Sequence, residues 1–211
     1  MNKTTLIAAA ALTALFTAAQ PAFAQSSNLN LWTAAGDTQI TSPTSALITT
    51  ASTLSGETPL TANSALLFDE LESALSISGA TAGDTFEGSG FAQNFVVAAG
   101  FTTTISFNWT LSTVDFDPAF ADRAFFVVDG TPAVNFAVVG NSPLSGSFSY
   151  TFTTAGNHSL AVAVMDVNDT VGVSTLTLSN LSVSAVPEAS SIAMMLTGLA
   201  LVRAAARRRR G

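Results

Sequence analysis

The sequence predicts an all-β protein, an antiparallel β-sandwich of jelly-roll type flanked by an N-terminal signal peptide and a short C-terminal transmembrane helix. Three observations support this prediction. Several segments alternate apolar and polar residues with a period of two, as half-buried strands do. Turn-forming residues separate these segments at short intervals. The two apolar runs that are longer than a strand lie at the two ends of the chain.

Residues 1–24 have the three parts of a secretory signal peptide. Lys3 precedes an apolar run over residues 6–19, and Ala22 and Ala24 form an A-x-A cleavage pattern. The run is too short for a membrane-spanning helix, which needs roughly 20 residues. We therefore expect cleavage after Ala24 and export of the rest of the chain.

Residues 25–63 are rich in Ser, Thr and Ala, and this composition fits either early strands or a loose stalk. Trp32 lies in this polar stretch, so its ring is either an exposed platform or an apolar plug. The sandwich body is predicted over residues 64–185. One short helix is predicted at Asp69–Leu75, because its apolar residues fall on one face.

The strands of the body follow from its alternating residues. Three strands are marked by Ile105, Phe107, Trp109 and Leu111, by Phe148, Tyr150 and Phe152, and by Leu160, Val162 and Val164. A continuous apolar run at residues 124–128 is typical of a strand covered on both faces. The apolar phase changes between Leu178 and Leu181, so we expect a β-bulge near Ser179 and Asn180. Most of the fifteen Phe residues lie on apolar phases, which indicates core packing.

The C-terminal segment, residues 186–211, joins a short apolar helix to a basic tail. Its apolar run, Ile192–Val202, reaches the length of a span only if Arg203 and the following alanines are included. The positive-inside bias then keeps the tail in the cytoplasm and the body outside. The tail consists of Arg207, Arg208, Arg209 and Arg210.

This segment resembles the PEP-CTERM sorting signal of Gram-negative bacteria that make extracellular polysaccharide. The resemblance rests on Val186-Pro187-Glu188-Ala189-Ser190, the apolar helix after it and the four arginines. It implies that an exosortase, an inner-membrane protease-transpeptidase, recognises and removes the tail. Pro187, Glu188 and Ala189 would then be recognition residues.

A second resemblance covers Leu71 to Val183, including "FEGSGFAQNFVVAAG", "DRAFFVVDG" and "GNHSLAVAVMDVNDTVGVSTLTLSNLSV". These segments are similar to a sandwich domain of sorted exoproteins, which resembles a carbohydrate-binding module in outline. The resemblance implies the fold and no particular activity. The final strand of such domains often carries Asp where this chain has Ser179, which weakens any transfer of a site there.

The charge of the body excludes some partners. Residues 25–186 contain thirteen acids and one base, Arg123, a net charge of about −12. Nucleic acid is therefore not expected as a partner, because phosphate contacts need Lys and Arg. The chain has no Cys, so no disulfide holds the fold.

The body contains few residues that could act in catalysis. The single histidine, His158, is predicted in a hairpin turn that faces solvent, although a Ser-His-Asp site would have to use it. A zinc site would need several His or Cys ligands. In a body with so many acids, a pair of close carboxylates would arise by chance, so the sequence gives little support for a glycosidase site. We expect no enzyme activity.

Calcium suits the acids better, because it takes six to eight oxygen ligands. The candidate ligands lie in two loops and are Asp115, Asp117, Asp122, Asp166, Asn168 and Asp169. They would surround one structural Ca²⁺ if the loops met at one rim of the sandwich. The alternative is a solvated acidic rim without a metal ion, in which Arg123 neutralises the neighbouring acids.

Together these features predict an exported, non-catalytic exoprotein at the cell surface or in the extracellular polysaccharide matrix. Its transient partners would be the secretion machinery and the exosortase, with the membrane as a tether before processing. The alternative is a calcium-assisted carbohydrate-binding module with extracellular polysaccharide as partner. A glycoside hydrolase is the third hypothesis.

Overall fold

The structure is a computed structural model that describes residues 26–77, 79, 85–138, 140 and 142–209. The predicted cleavage residues Ala22 and Ala24 lie outside these residues, as does Arg210 of the basic tail.

Strands dominate the described residues. The first sheet-forming strands are β1 (Thr33–Ala35), β2 (Thr38–Ser42), β3 (Ser45–Thr49) and β4 (Leu66–Leu67). Helix α1 (Phe68–Leu75) follows directly after β4. The longer strands are β5 (Thr85–Val97), β6 (Phe101–Ser112), β7 (Asp122–Val128), β8 (Thr131–Val138), β9 (Leu144–Phe152), β10 (Gly156–Val167) and β11 (Thr175–Pro187). Helix α2 (Ala189–Arg208) closes the described chain.

These strands form two antiparallel sheets, which confirms the predicted β-sandwich. One sheet has the order β1-β5-β10-β7-β8, with β4 also paired to β5. The other has the order β2-β3-β11-β6-β9. The N-terminal segment supplies β1 to one sheet and β2 and β3 to the other, so it is built into the sandwich.

The main core fills the space between the two sheets. Phe126 is fully buried at its centre, with ring centroids 5.1 Å from Phe107 and 5.0 Å from Phe148. Trp32 is 6 % exposed and packs edge-on against Phe95 at 5.9 Å, so its ring is a plug. Core packing is thus the role of these Phe rings, as predicted, and of Trp32, for which the sequence left both alternatives open.

Two local predictions are confirmed. The ladder between β11 and β6 shifts register between Ser179 and Ser182, and Asn180 adopts a left-handed φ of 57°. This is the expected bulge, and Asn tolerates that conformation better than most residues. The predicted helix is α1, whose Leu71 and Leu75 are buried against the outer face of the β5-β10-β7 sheet.

Strand β11 runs from one end of the sandwich to the other. Its length, at about 3.3 Å per residue, separates Thr175 from Pro187 by roughly 40 Å. Helix α2 therefore starts at the end opposite to the loops 113–121 and 168–174. We call the end with those loops, together with segment 50–65, the acidic rim.

Helix α2 projects from the sandwich with no buried residue. Among the described residues it is the one helix long and apolar enough to cross a membrane, with a mean hydropathy of 1.5.

Candidate metal centre

The structure gathers three of the six predicted ligands at the acidic rim. Asp115, Asp122 and Asp166 are 6 %, 1 % and 1 % exposed. Asp122 interacts electrostatically with both Asp115 and Asp166. Burial of three carboxylates near one another is costly unless each is paired or protonated.

The other three predicted ligands serve local turns. Asp117 accepts the Ala119 backbone N–H at 2.9 Å and caps the 3₁₀ turn Pro118–Phe120. Asp169 accepts the Val171 N–H at 3.4 Å. Asn168 is exposed and has a left-handed φ of 63°. The structure thus does not bring these side chains into the buried group.

Asp122 and Asp115 are partly satisfied by protein donors. Asp122 Oδ2 accepts the hydroxyls of Ser174 at 2.5 Å and Thr113 at 3.3 Å. Burial nevertheless raises the pKa of Asp122 to about 6, against the effect of these two hydroxyls. Asp115 Oδ1 accepts the Asp117 N–H at 2.9 Å, whereas its Oδ2 is buried without a partner.

Asp166 is the least satisfied group of the described chain. Both of its oxygens are buried, and neither has a hydrogen bond of normal geometry to a described residue; the Thr50 hydroxyl is the donor that acts on them. Burial raises the pKa of Asp166 to about 9. The carboxylates of Asp122, Glu57 and Glu87 act in the same direction, and the Thr50 hydroxyl opposes them.

Two further acids complete the group and were not predicted. Glu87 at the start of β5 is 1 % exposed and accepts the Ser55 hydroxyl at 2.5 Å. Glu57 is half-buried in segment 50–65 and accepts the Ser52 N–H at 3.2 Å. Burial raises the pKa of Glu57, and the charge of Glu87 adds to this. One oxygen each from Glu57, Glu87 and Asp166 lies within 4.8 Å of the others.

Strand register explains why these acids meet. The β10–β5 ladder pairs Met165 with Gly88, and Val167 with Thr85, which places Asp166 beside Glu87. The β10–β7 ladder pairs Met165 with Arg123, so Asp122 lies on the other side of Asp166. The side chains of these three acids alternate in phase with buried core residues of the same strands.

Asp37 fixes the segment that carries Glu57. Its buried carboxylate accepts the backbone N–H groups of Leu60 at 2.8 Å and Thr61 at 2.9 Å. It also accepts the Thr61 hydroxyl at 3.0 Å and the Thr49 hydroxyl. Segment 50–65 is therefore tied to the β1–β2 turn, although it has almost no regular structure.

Arg123 does not neutralise this group. It lies on the opposite phase of β7 from Asp122, and the described residues contain no ion pair between Arg123 and a carboxylate.

His158 lies at the opposite end of the sandwich and is held by the hairpin. Its Nδ1 is 2.8 Å from Asp129 Oδ2, and its Nε2 is 2.9 Å from the Thr154 carbonyl oxygen. The Asp129 hydrogen bond raises the pKa of His158. Both nitrogens therefore have partners, and Nε2 also lies 3.3 Å from the Thr154 hydroxyl oxygen. The His158 side chain is 12 % exposed, which corrects the expectation that it faces solvent.

Close carboxylates exist, but they are placed badly for glycoside hydrolysis. Glu87 and Asp166 are each 1 % exposed. A sugar ring cannot reach them in this conformation, whereas a small ion needs far less space.

The outer face of the five-stranded sheet is a second distinctive surface. Its outward positions on β6, β9 and β11 carry hydroxyl or amide groups, apart from the apolar Val186, and none carries a charge, although the body is strongly acidic. The polar positions are Thr102, Thr104, Ser106, Asn108, Thr110, Ser112, Ser145, Ser147, Ser149, Thr151, Thr175, Thr177, Ser179, Ser182 and Ser184. Some hydroxyls pair across strands, as Thr104 and Thr151 do at 2.8 Å.

No protein-family model matches the chain, and no curated protein matches it. Several solved structures are similar in fold. A CBM4 structure is 14 % identical with a TM-score of 0.35, and the match covers 74 % of this chain and 94 % of that one. The structure of TmCBM61 in complex with β-1,4-galactotriose is 13 % identical with a TM-score of 0.35, covering 74 % and 90 %. Carbohydrate-binding module CBM36 in complex with calcium and xylotriose is 15 % identical with a TM-score of 0.28, covering 46 % and 75 %. Similarity at this level does not extend to a ligand.

Proposed function

We propose that this chain is an exported, non-catalytic protein that an exosortase processes at the inner membrane of a Gram-negative bacterium. Its body then acts at the cell surface or in the extracellular polysaccharide matrix. The observation that carries the proposal is helix α2: it is apolar, it buries none of its residues on the sandwich, and it follows the Pro187-Glu188 motif directly. Its first turn contacts the body through the Ser191 hydroxyl, which donates to the Gly100 carbonyl oxygen at 3.2 Å. A helix whose apolar side chains are exposed is suited to a membrane.

The position of the motif also supports processing. Pro187 and Ala189 are exposed, and the Glu188 N–H donates to the Gly100 carbonyl oxygen at 2.8 Å. On one side, β11 stays paired with β6 as far as Pro187. On the other side, its pairing with β3 stops at Leu178, and the N–H groups of Leu181 and Val183 donate to the Thr44 carbonyl oxygen and the Ser27 hydroxyl. After Val183, β11 has no strand on this side among the described residues, which leaves an edge to which a processing enzyme can add an extended segment.

The test follows two epitopes, one inserted in the exposed Asp129-Gly130 turn and one after Gly211. The chain is expressed in a host with an exosortase and in the same host without it. We expect the C-terminal epitope to be lost from the body in the first host alone. The loss should fail in Glu188→Ala and persist in the control Ser184→Ala. Retention of both epitopes on the cellular protein in the exosortase host would refute processing.

The second candidate function is calcium-assisted carbohydrate binding, and the uncharged outer face of the five-stranded sheet favours it. Hydroxyl and amide groups suit the hydrogen bonds of a polysaccharide, and the absence of acids there removes repulsion from anionic polymers. Calcium would act as a structural cofactor at the acidic rim, since oxygen-only ligands suit that ion.

This candidate is tested by a pull-down with the producer's own extracellular polysaccharide, with and without EGTA. Ser147→Asp would place a charge in the middle of the face and should abolish retention. Ser73→Asp, on the exposed side of α1, should leave it unchanged. Equal retention of both variants would exclude this face, and no retention of the native chain would exclude the candidate.

A further inference from the structure

We propose that Glu57, Glu87 and Asp166 bind one calcium ion, which fastens segment 50–65 to the inner face of the six-stranded sheet. This inference rests on the calcium proposed above, whose site it names, and is independent of sorting. Of the six ligands predicted from the sequence it keeps Asp166 alone, and it adds two glutamates from elsewhere in the chain.

A row of like charges crosses three paired strands of this sheet. Glu87, Asp166 and Asp122 stand side by side on β5, β10 and β7, all on the phase that faces the core. Like charges directly opposite one another destabilise a sheet. Such a row inside a sandwich is expected only where something offsets the repulsion between its carboxylates. The guanidinium of Arg123 does not offset it.

The carboxylate at the centre of the row lacks a well-formed hydrogen bond. Asp166 is 1 % exposed, and the Thr50 hydroxyl, which acts on it, does not complete a hydrogen bond of normal geometry to either oxygen. Its neighbours do have protein donors: Ser174 and Thr113 bind Asp122, and Ser55 binds Glu87. The missing partner of Asp166 is therefore a cation or water, and its position between acids favours the cation.

The spacing of the ligand oxygens also suits one calcium ion. One oxygen each from Glu57, Glu87 and Asp166 lies within 4.8 Å of the others. Two oxygens bound to the same Ca²⁺ are at most roughly 4.6–5.2 Å apart, because each bond is 2.3–2.6 Å long, so one ion can contact all three. Calcium tolerates protein oxygens in varied geometry, whereas Mg²⁺ demands a near-ideal octahedron and usually keeps several waters. The absence of His and Cys from the group excludes a typical zinc site.

The ion would connect the sheet to segment 50–65. Glu87 and Asp166 belong to neighbouring strands of one sheet, and Glu57 belongs to a segment without regular structure. Asp37 already holds that segment through Leu60 and Thr61, and Ser55 already donates to Glu87. An ion at Glu57 would add a stronger link between the segment and the two strands.

The experiment is a titration of the full chain, purified in a mild detergent and freed of metal with EDTA, with calcium chloride. Binding is measured by calorimetry, and unfolding is followed by the fluorescence of the two tryptophans. At 100-fold the dissociation constant, calcium should raise the melting temperature by about 5–10 °C. Magnesium at the same concentration should give a much smaller rise.

Four variants separate this site from the loop ligands. Glu87→Gln and Asp166→Asn should weaken calcium binding at least about 100-fold, since even outer-shell partners of a metal are worth 10- to 100-fold. Asp117→Asn and Asp169→Asn also remove one negative charge each at the acidic rim, and both should bind calcium as the native chain does. Asp166→Asn removes a charge that its acidic neighbours repel and removes no well-formed hydrogen bond, so it should not melt at a lower temperature than the native chain in EDTA. If it does not fold, Glu57→Gln replaces it.

The outcomes are distinct. Loss of binding in the first pair with normal binding in the second supports the site. Normal binding in all variants, or loss in Asp117→Asn and Asp169→Asn alone, overturns this site while calcium remains the cofactor. No binding by the native chain overturns the site and the calcium proposal together, and leaves the sorting proposal untouched.

Discussion

Asp37→Asn should be one of the most destabilising single-atom changes in this protein. The buried carboxylate of Asp37 accepts hydrogen bonds from Thr49, from the Leu60 N–H and from both the N–H and hydroxyl of Thr61. Asparagine keeps one oxygen for Thr61, but its NH₂ group must then point at the Leu60 N–H. The Leu60 N–H thereby loses its acceptor and faces a second donor.

The size of the effect follows from these contacts. A hydrogen bond to a charged group contributes about 1.5–3 kcal/mol, and an unsatisfied buried donor costs about 1–3 kcal/mol. We expect a loss of about 3 kcal/mol in the free energy of unfolding. For a domain of this size that corresponds to a melting temperature lower by about 6–12 °C.

The assay is thermal unfolding in EDTA, with amide hydrogen exchange as the local readout. Exchange should accelerate at Leu60 and Thr61 more than in the β5–β10 ladder. Glu70→Gln, on the exposed surface of α1, is the control and should stay within about 0.5 kcal/mol of the native chain. If Asp37→Asn melts within about 1 °C of the native chain, Asp37 does not hold segment 50–65 in the way described.

Three further predictions follow from the core, a strand contact and the histidine. Phe126→Ala should lower the free energy of unfolding in urea by about 3–5 kcal/mol, because Phe126 is fully buried among aromatic rings; a loss below about 1 kcal/mol would contradict this packing. Gly88→Ala should cost about 1–3 kcal/mol, since an added Cβ would lie 2.4 Å from the Val164 carbonyl oxygen. Gly198→Ala meets nothing within 4 Å and should not destabilise α2. The pKa of His158 is raised by Asp129, so the bond between them stabilises the fold fully below pH about 6.5 and less as the pH rises through the folded pKa. The melting-temperature difference between the native chain and Asp129→Asn should therefore be larger at pH 6 than at pH 9, and an equal difference at both would argue against a charged imidazole.

The strands of the body could be predicted because their signal is local. The alternation of apolar and polar residues along β6, β9 and β10 depends only on which side chains face the core. The change of apolar phase at Ser179 predicted the bulge in β11. The same signal was available for two of the buried acids. Glu87 is in phase with Phe91, and Asp166 is in phase with Val164. An acid on an apolar phase is a warning that it is buried.

Glu57 had no such signal. It lies in a Ser/Thr-rich segment without periodicity, which the sequence left open as strands or stalk. Its place beside Asp166 depends on the path of segment 50–65, and that path is set by hydrogen bonds to Asp37 from residues more than twenty positions away.

The sequence by itself determined the class of the fold, the positions of most strands, the acidic charge of the body, and an end segment with the composition of a membrane helix. These properties follow from composition and short-range periodicity. Only the tertiary structure decided which acids share a buried site. Strand order and register bring Glu87, Asp166 and Asp122 side by side, although long stretches of chain separate them. Pairing between distant strands is chosen by the packing of the whole sandwich, and no local pattern records it.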